Sequence, residues 1–223
     1  MSGSSEQHHA GESVRVSVDS TMVEADLSVP DGAKGVVLFA HGTGSNRHSP
    51  RNNFVAERLR QDAMATLLID LLTPEEKAVD RRTRRIRFDI DRLAKRVVEA
   101  VDWLKEKTSP EDLPVGIFGS STGAAAALVA AARRPEAVSA VVSRGGRVDM
   151  AAEVLNHVRA PTLFIVGEED RQVLSLNRQA LARLEIEKAL QVVSGAGHLF
   201  EEPGALDEVA KLSRDWFQRH LAR

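Results

Sequence analysis

The chain has 223 residues, 43% of them hydrophobic, and a formal net charge of −2. That is enough apolar material for one well-filled core, and so even a charge balance argues against a general affinity for nucleic acid or an anionic membrane. There is no cysteine, which excludes disulfides, a thiolate nucleophile and thiolate metal sites.

The N-terminus has neither the basic nor the apolar region of a secretory signal. No apolar run approaches a membrane span, so the expected compartment is the cytoplasm. Residues 1–12 read as a flexible leader and 13–223 as a single α/β domain. His8 and His9 in that leader do not make a closed coordination set, and no metal is expected. Val14 to Pro30 alternates apolar and polar residues around Asp19-Ser20, the pattern of an antiparallel hairpin. Short continuous apolar runs follow at 35–40, 65–69, 115–118, 138–142, 162–166 and 190–193. Such runs mark strands buried on both faces.

Helical patterns lie between the runs. Ser49-Pro50 reads as an N-cap and first helical residue. Ile86, Ile90, Leu93, Val97, Val101 and Leu104 share one face of a long helix. Residues 124–132 are nearly all alanine, and Leu206 to Leu221 forms an amphipathic C-terminal helix. The charged stretch 73–85 has no assigned structure. Alternation of strand and helix after an antiparallel start predicts a mostly parallel sheet with helices on both faces. Ligands then bind beyond the carboxyl ends of the strands.

Several of those strand ends carry candidate site residues. Gly119-Ser120-Ser121-Thr122-Gly123 separates the third of these runs from the alanine-rich helix. A G-x-S-x-G sequence between strand and helix is a nucleophile elbow, whose turn is tight enough to exclude larger neighbours and to push Ser121 out of the sheet. His41-Gly42-Thr43-Gly44 follows the first run. The amides of Thr43 and Thr122 are the expected oxyanion hole, and His41 is expected to support that loop. The same stretch half-resembles a dinucleotide fingerprint, with Asp70 ending the next strand, but Arg47 occupies the third glycine position.

A serine hydroxyl needs a base. His198, in Gly197-His198 after the last run, comes after the serine in the chain, as the order Ser, Asp/Glu, His requires. His48, His157 and His220 are less well placed. One of Glu168, Glu169 and Asp170, after the fifth run, is the expected acid.

His41-Gly42, Gly119-x-Ser121-x-Gly123, Pro161 through Asp170, and Gly197-His198 together resemble the α/β-hydrolase superfamily, and within it the small dienelactone-hydrolase-like group. The likeness runs across almost the whole chain from residue 35. It implies the α/β-hydrolase fold and ester cleavage without a cofactor, and it favours Asp170 as the acid. The name-giving dienelactone hydrolases use a cysteine nucleophile; this chain carries Ser121 instead, so the dienelactone substrate does not transfer with the fold. Only 46 residues separate Gly123 from Asp170, too few for an inserted lid domain.

The resulting expectation is a serine hydrolase with catalytic Ser121, His198 and Asp170. Its substrate is a small soluble ester, thioester or lactone, held without metal, nucleic acid or membrane. The alternatives are a non-catalytic α/β-hydrolase-fold binding protein and a nucleotide-binding α/β protein. Arg144 is a candidate for holding a substrate carboxylate. The run Arg81, Arg82, Arg84, Arg85 and Arg87 is read as a solvated helix face.

Overall fold

A computed structural model describes residues 11–42, 44–107 and 113–221. The leader therefore lies almost wholly outside the described residues, as do His8, His9 and Thr43. In chain order the elements are β1 (Glu12–Val18), β2 (Thr21–Ser28), β3 (Gly35–Ala40), α1 (Pro50–Gln61), β4 (Met64–Ile69), α2 (Pro74–Thr83), α3 (Ile90–Lys107), β5 (Val115–Ser120), α4 (Thr122–Arg133), β6 (Val138–Arg144), β7 (Thr162–Gly167), α5 (Arg171–Arg183), β8 (Lys188–Val193) and α6 (Ala205–Leu221). Short 3₁₀ segments cover Ile86–Phe88 and Val148–His157.

The eight strands form one sheet in the order β1-β2-β4-β3-β5-β6-β7-β8. Pairings among β3 to β8 are parallel, while β1–β2 and β2–β4 are antiparallel. This is the α/β-hydrolase arrangement expected from the hairpin and the apolar runs. Because successive side chains of a strand point to opposite faces, β3, β4 and β5 divide their residues between two cores. Val36, Leu38, Leu67 and Ile117 pack with α3 and α4, and Val37, Phe39, Leu68 and Phe118 pack with α1 and α6. The alanine-rich α4 is buried along almost its whole length, which its small side chains permit.

Two stretches depart from expectation. Ile86 lies outside the long helix, because Asp89 interrupts it: its carboxylate accepts from the Arg92 N–H at 3.1 Å and caps α3. Residues 73–85 contain α2, opened by a capping box in which Thr73 and Glu76 satisfy each other's amides. The only buried residue of α2 is Asp80, so the helix is held by charge rather than by an apolar face. Glu76 pairs with Arg96 and Arg92, and Lys77 with Asp70. Asp80 pairs with Arg87.

Candidate active site

Ser121 stands between β5 and α4 with φ 51° and ψ −121°. A positive φ is costly for a residue with a β-carbon, and strain of this kind persists only where the surroundings enforce it. Here they do. A β-carbon on Gly123 would lie 2.2 Å from the Ala40 carbonyl oxygen, and one on Gly42 would lie 2.8 Å from Ser121 Cβ. Both glycines allow the β3–α1 loop to press against the elbow. The backbone is fixed further by Ser121 N–H donating to the Arg144 carbonyl at 3.2 Å and by Arg147 N–H donating to the Ser121 carbonyl at 3.0 Å. Thr122, the first residue of α4, is buried and presents its amide at the positive end of that helix. Its companion Thr43 lies outside the described residues.

His198 follows β8 in a loop anchored from β7. Its Nδ1 lies 2.5 Å from Asp170 Oδ2, with the aspartate side chain 14% exposed and the imidazole 39% exposed. That bond puts the proton on Nδ1 and leaves the Nε2 lone pair for a hydroxyl. The ring packs beside Gly145, the residue after the carbonyl that holds the Ser121 amide. Ser121, Asp170 and His198 thus follow β5, β7 and β8, and the structure brings Asp170 and His198 into contact. The three carboxylates after β7 separate cleanly. Asp170 takes the histidine, while Glu168 Oε2 accepts from Ser194 Oγ and the Gly195 N–H, both at 2.8 Å. Those donors hold the Glu168 carboxyl below its usual range. Glu168 thus ties down the loop that carries His198. Glu169 is exposed and lies 3.9 Å from Arg171.

His41 is structural. Its Nε2 accepts the Leu71 N–H at 2.9 Å and its Nδ1 lies 3.0 Å from the Gly42 carbonyl. These contacts define a neutral ring with the proton on Nδ1. Burial pushes its pKa down, against opposing effects of the Gly42 carbonyl and Asp70. Arg47 and Asp70, the pair that imitated a dinucleotide fingerprint, are bonded to each other at 2.7 Å.

A cavity of about 190 Å³ opens beside the elbow, bounded by Gly42, Thr122, Leu72, Leu93, Lys77, Arg81 and Arg87. Two members of the arginine run therefore face this cavity instead of forming only a solvated face; Arg82, Arg84 and Arg85 are exposed. The spacing Leu71-Leu72 before a capped helix was the available signal for this wall. Arg144, at the end of β6, is buried, and burial with the nearby Arg51 charge pushes its pKa down to about 10.

The dienelactone hydrolase family pattern matches residues 23–222. The chain belongs to the dienelactone hydrolase family. A dienelactone hydrolase from Anabaena variabilis is 55% identical, with a TM-score of 0.93 over 96% of this chain and 100% of that one. The lidless α/β serine hydrolase XC6422 from Xanthomonas campestris shares the fold at 16% identity, with a TM-score of 0.75 over 94% of each chain. Two curated relatives from Mycobacterium tuberculosis strains are 53% identical over 94% of this chain and carry the provisional name phosphoribosyl transferase. This chain spans only 46% of their length.

Proposed function

We propose that the chain is a serine hydrolase of small carboxylic esters, thioesters or lactones, acting through an acyl-enzyme on Ser121. The observation that carries the reading is the Asp170–His198 bond beside a strained serine at the head of α4. Ser121 Oγ attacks the substrate carbonyl as its proton passes to His198 Nε2. The Thr122 amide, with that of Thr43, holds the developing oxyanion, each such donor being worth on the order of 3 kcal/mol. Collapse of the tetrahedral intermediate breaks the acyl–oxygen or acyl–sulfur bond, and the imidazolium returns its proton to the leaving group. Water, deprotonated by the same Nε2, then releases the acid and restores the serine.

The transferase name belongs to proteins about twice this length, and the chemistry assigned to this chain is that of its own site. A non-catalytic binding role would not require a nucleophile held in a strained backbone conformation. Labelling with a fluorophosphonate tests the reading. Ser121 is expected to react, and Ser121→Ala to lose both the label and p-nitrophenyl butyrate hydrolysis by at least about 10⁴-fold. Undiminished hydrolysis by Ser121→Ala overturns it.

A further inference from the structure

Two of the backbone bonds that hold Ser121 come from one turn, residues 144–147 after β6. The Arg144 carbonyl accepts the Ser121 N–H at 3.2 Å, and the Arg147 N–H donates to the Ser121 carbonyl at 3.0 Å. Between those residues Gly145 lies against His198, where an added β-carbon would stand 3.4 Å from the ring atoms Cε1 and Nδ1. Gly145, at φ 54°, also donates its N–H to the Ile165 carbonyl of β7 at 2.8 Å. Gly146 is wedged against the start of α4, where a β-carbon would lie 2.1 Å from Ser143 Oγ and 2.8 Å from Ala124 Cβ. The turn therefore touches the backbone of Ser121 on one side and the ring of His198 on the other.

The turn is held in place from α5. Asn177 on that helix is fully buried. Its Nδ2 donates to the Gly146 carbonyl at 2.9 Å and to the Val173 carbonyl at 2.8 Å. Two carbonyl partners fix which way the amide faces. They leave Oδ1 buried with no hydrogen-bond partner among the described residues. That acceptor carries a desolvation cost that an apolar side chain of similar shape would avoid, so stability alone does not account for an asparagine here. The same helix has a second attachment. Asp170 is its N-cap residue, and the Leu174 N–H donates to the Asp170 carbonyl at 2.8 Å. One rigid element thus carries, at its head, the acid that holds His198 and, about two turns further along, the amide that holds the turn behind Ser121.

We propose that Asn177 is a positioning residue for the Ser121–His198 pair: through Gly146 it fixes the 144–147 turn, and the turn sets the gap across which the serine proton passes. This rests on the serine-hydrolase reading above and adds to it a residue that never touches the substrate. Ser121 follows β5, whereas Asp170 and His198 follow β7 and β8. The turn belongs to β6, the strand between those two groups, and is the part of the fold in contact with both. A misplacement of about 1 Å between reacting groups costs about 10²-fold in rate, so a slackened turn is felt in the chemical step.

The test is Asn177→Leu, which keeps the branched outline of the side chain and cuts the tie to Gly146. Well below Tm, kcat for p-nitrophenyl butyrate is expected to fall about 30-fold with KM changed less than about twofold, and fluorophosphonate labelling of Ser121 to slow by a similar factor. The downfield proton resonance of the Asp170–His198 bond should persist, because that bond does not pass through the turn. Gly145→Ala presses a β-carbon against the ring from the same turn and should lower kcat about tenfold, again with little change in KM. An asparagine that serves folding alone would lower Tm and leave kcat, KM and the labelling rate of the folded protein unchanged; that result overturns the proposal. Loss of the downfield resonance in Asn177→Leu also overturns it, since the damage would then lie at the acid–base bond, as does a kcat above about half of wild type in Gly145→Ala. If Asn177→Leu does not fold, Asn177→Ala, which cuts the same bond without apolar bulk against Gly146, is read by the same criteria. Butyrate hydrolysis and labelling of the wild type report separately on the serine-hydrolase reading: their absence there removes that reading, whereas an active wild type with an equally active Asn177→Leu removes only the role of Asn177.

Discussion

Asp170→Asn removes a charge while leaving the shape of the side chain nearly intact. In the structure Asp170 Oδ2 sits 2.5 Å from His198 Nδ1. When Ser121 attacks, that imidazole becomes an imidazolium. Two unit charges about 4 Å apart at an effective dielectric of about 20 interact by about 4 kcal/mol. With the ring 39% exposed, water screening reduces this toward ~2 kcal/mol. The amide adds a second penalty of similar size. Its NH₂ facing Nδ1 draws the histidine proton to Nε2, the tautomer that cannot act as a base. Together these give about 4 kcal/mol, or a fall in kcat of about 10³-fold. Glu168→Gln keeps an acceptor for Ser194 and Gly195 and should cost less than about tenfold, and exposed Glu169→Gln less than about twofold. The assay is kcat for p-nitrophenyl butyrate at saturating substrate. Retention of more than a tenth of wild-type kcat by Asp170→Asn, or collapse of Glu168→Gln, would refute the reasoning.

Other consequences follow from the same geometry. The cavity of about 190 Å³ is small, so kcat/KM should peak at acetyl to butyryl esters; a steady rise through dodecanoyl esters, at about 0.8 kcal/mol per buried methylene, would reveal a deep apolar channel and contradict this size limit. Gly123→Ala drives a β-carbon to 2.2 Å from a backbone oxygen that cannot move alone. It should cost at least about 3 kcal/mol in urea unfolding and abolish labelling of Ser121, and a change below 1 kcal/mol on the same scale would contradict the crowded elbow. His41 is a base whose folded pKa is depressed, so below about pH 6.5 the unfolded chain binds the extra proton. Its stabilising contribution is complete above that pH and is lost as the pH falls toward its folded pKa. Unfolding free energies at pH 7.5 and 5.0 should therefore converge in His41→Gln, although not fully, because burial also lowers His220. An unchanged slope would argue against a buried neutral His41.

The sheet was legible because its central strands are uniformly apolar, its N-terminal hairpin alternates, and its turns carry fixed chemistry. The elbow was legible because only glycine fits at 119 and 123. Sequence order placed His198, and the acidic turn supplied its partner. The choice among Glu168, Glu169 and Asp170 required three dimensions: it depends on which carboxylate reaches back over β8, and Glu168 is drawn instead to the 194–195 amide and hydroxyl. α2 was hidden because it has no apolar stripe to give a period; its stability comes from Glu76, Lys77 and Asp80 reaching charges on other elements. Arg144 looked ambiguous for a different reason. Charge in a sequence suggests exposure, yet this one is buried with the Phe200 ring, more than fifty residues away, 6.0 Å from its guanidinium.

The central claim is a covalent acyl intermediate on one serine. Rapid quenching of the protein with p-nitrophenyl acetate, followed by intact and peptide mass measurement, tests it most directly. The account predicts one acetyl group per chain, on the peptide containing Ser121 and absent from Ser121→Ala. Turnover of the ester with no adduct, or with the acetyl group on another residue, would contradict it.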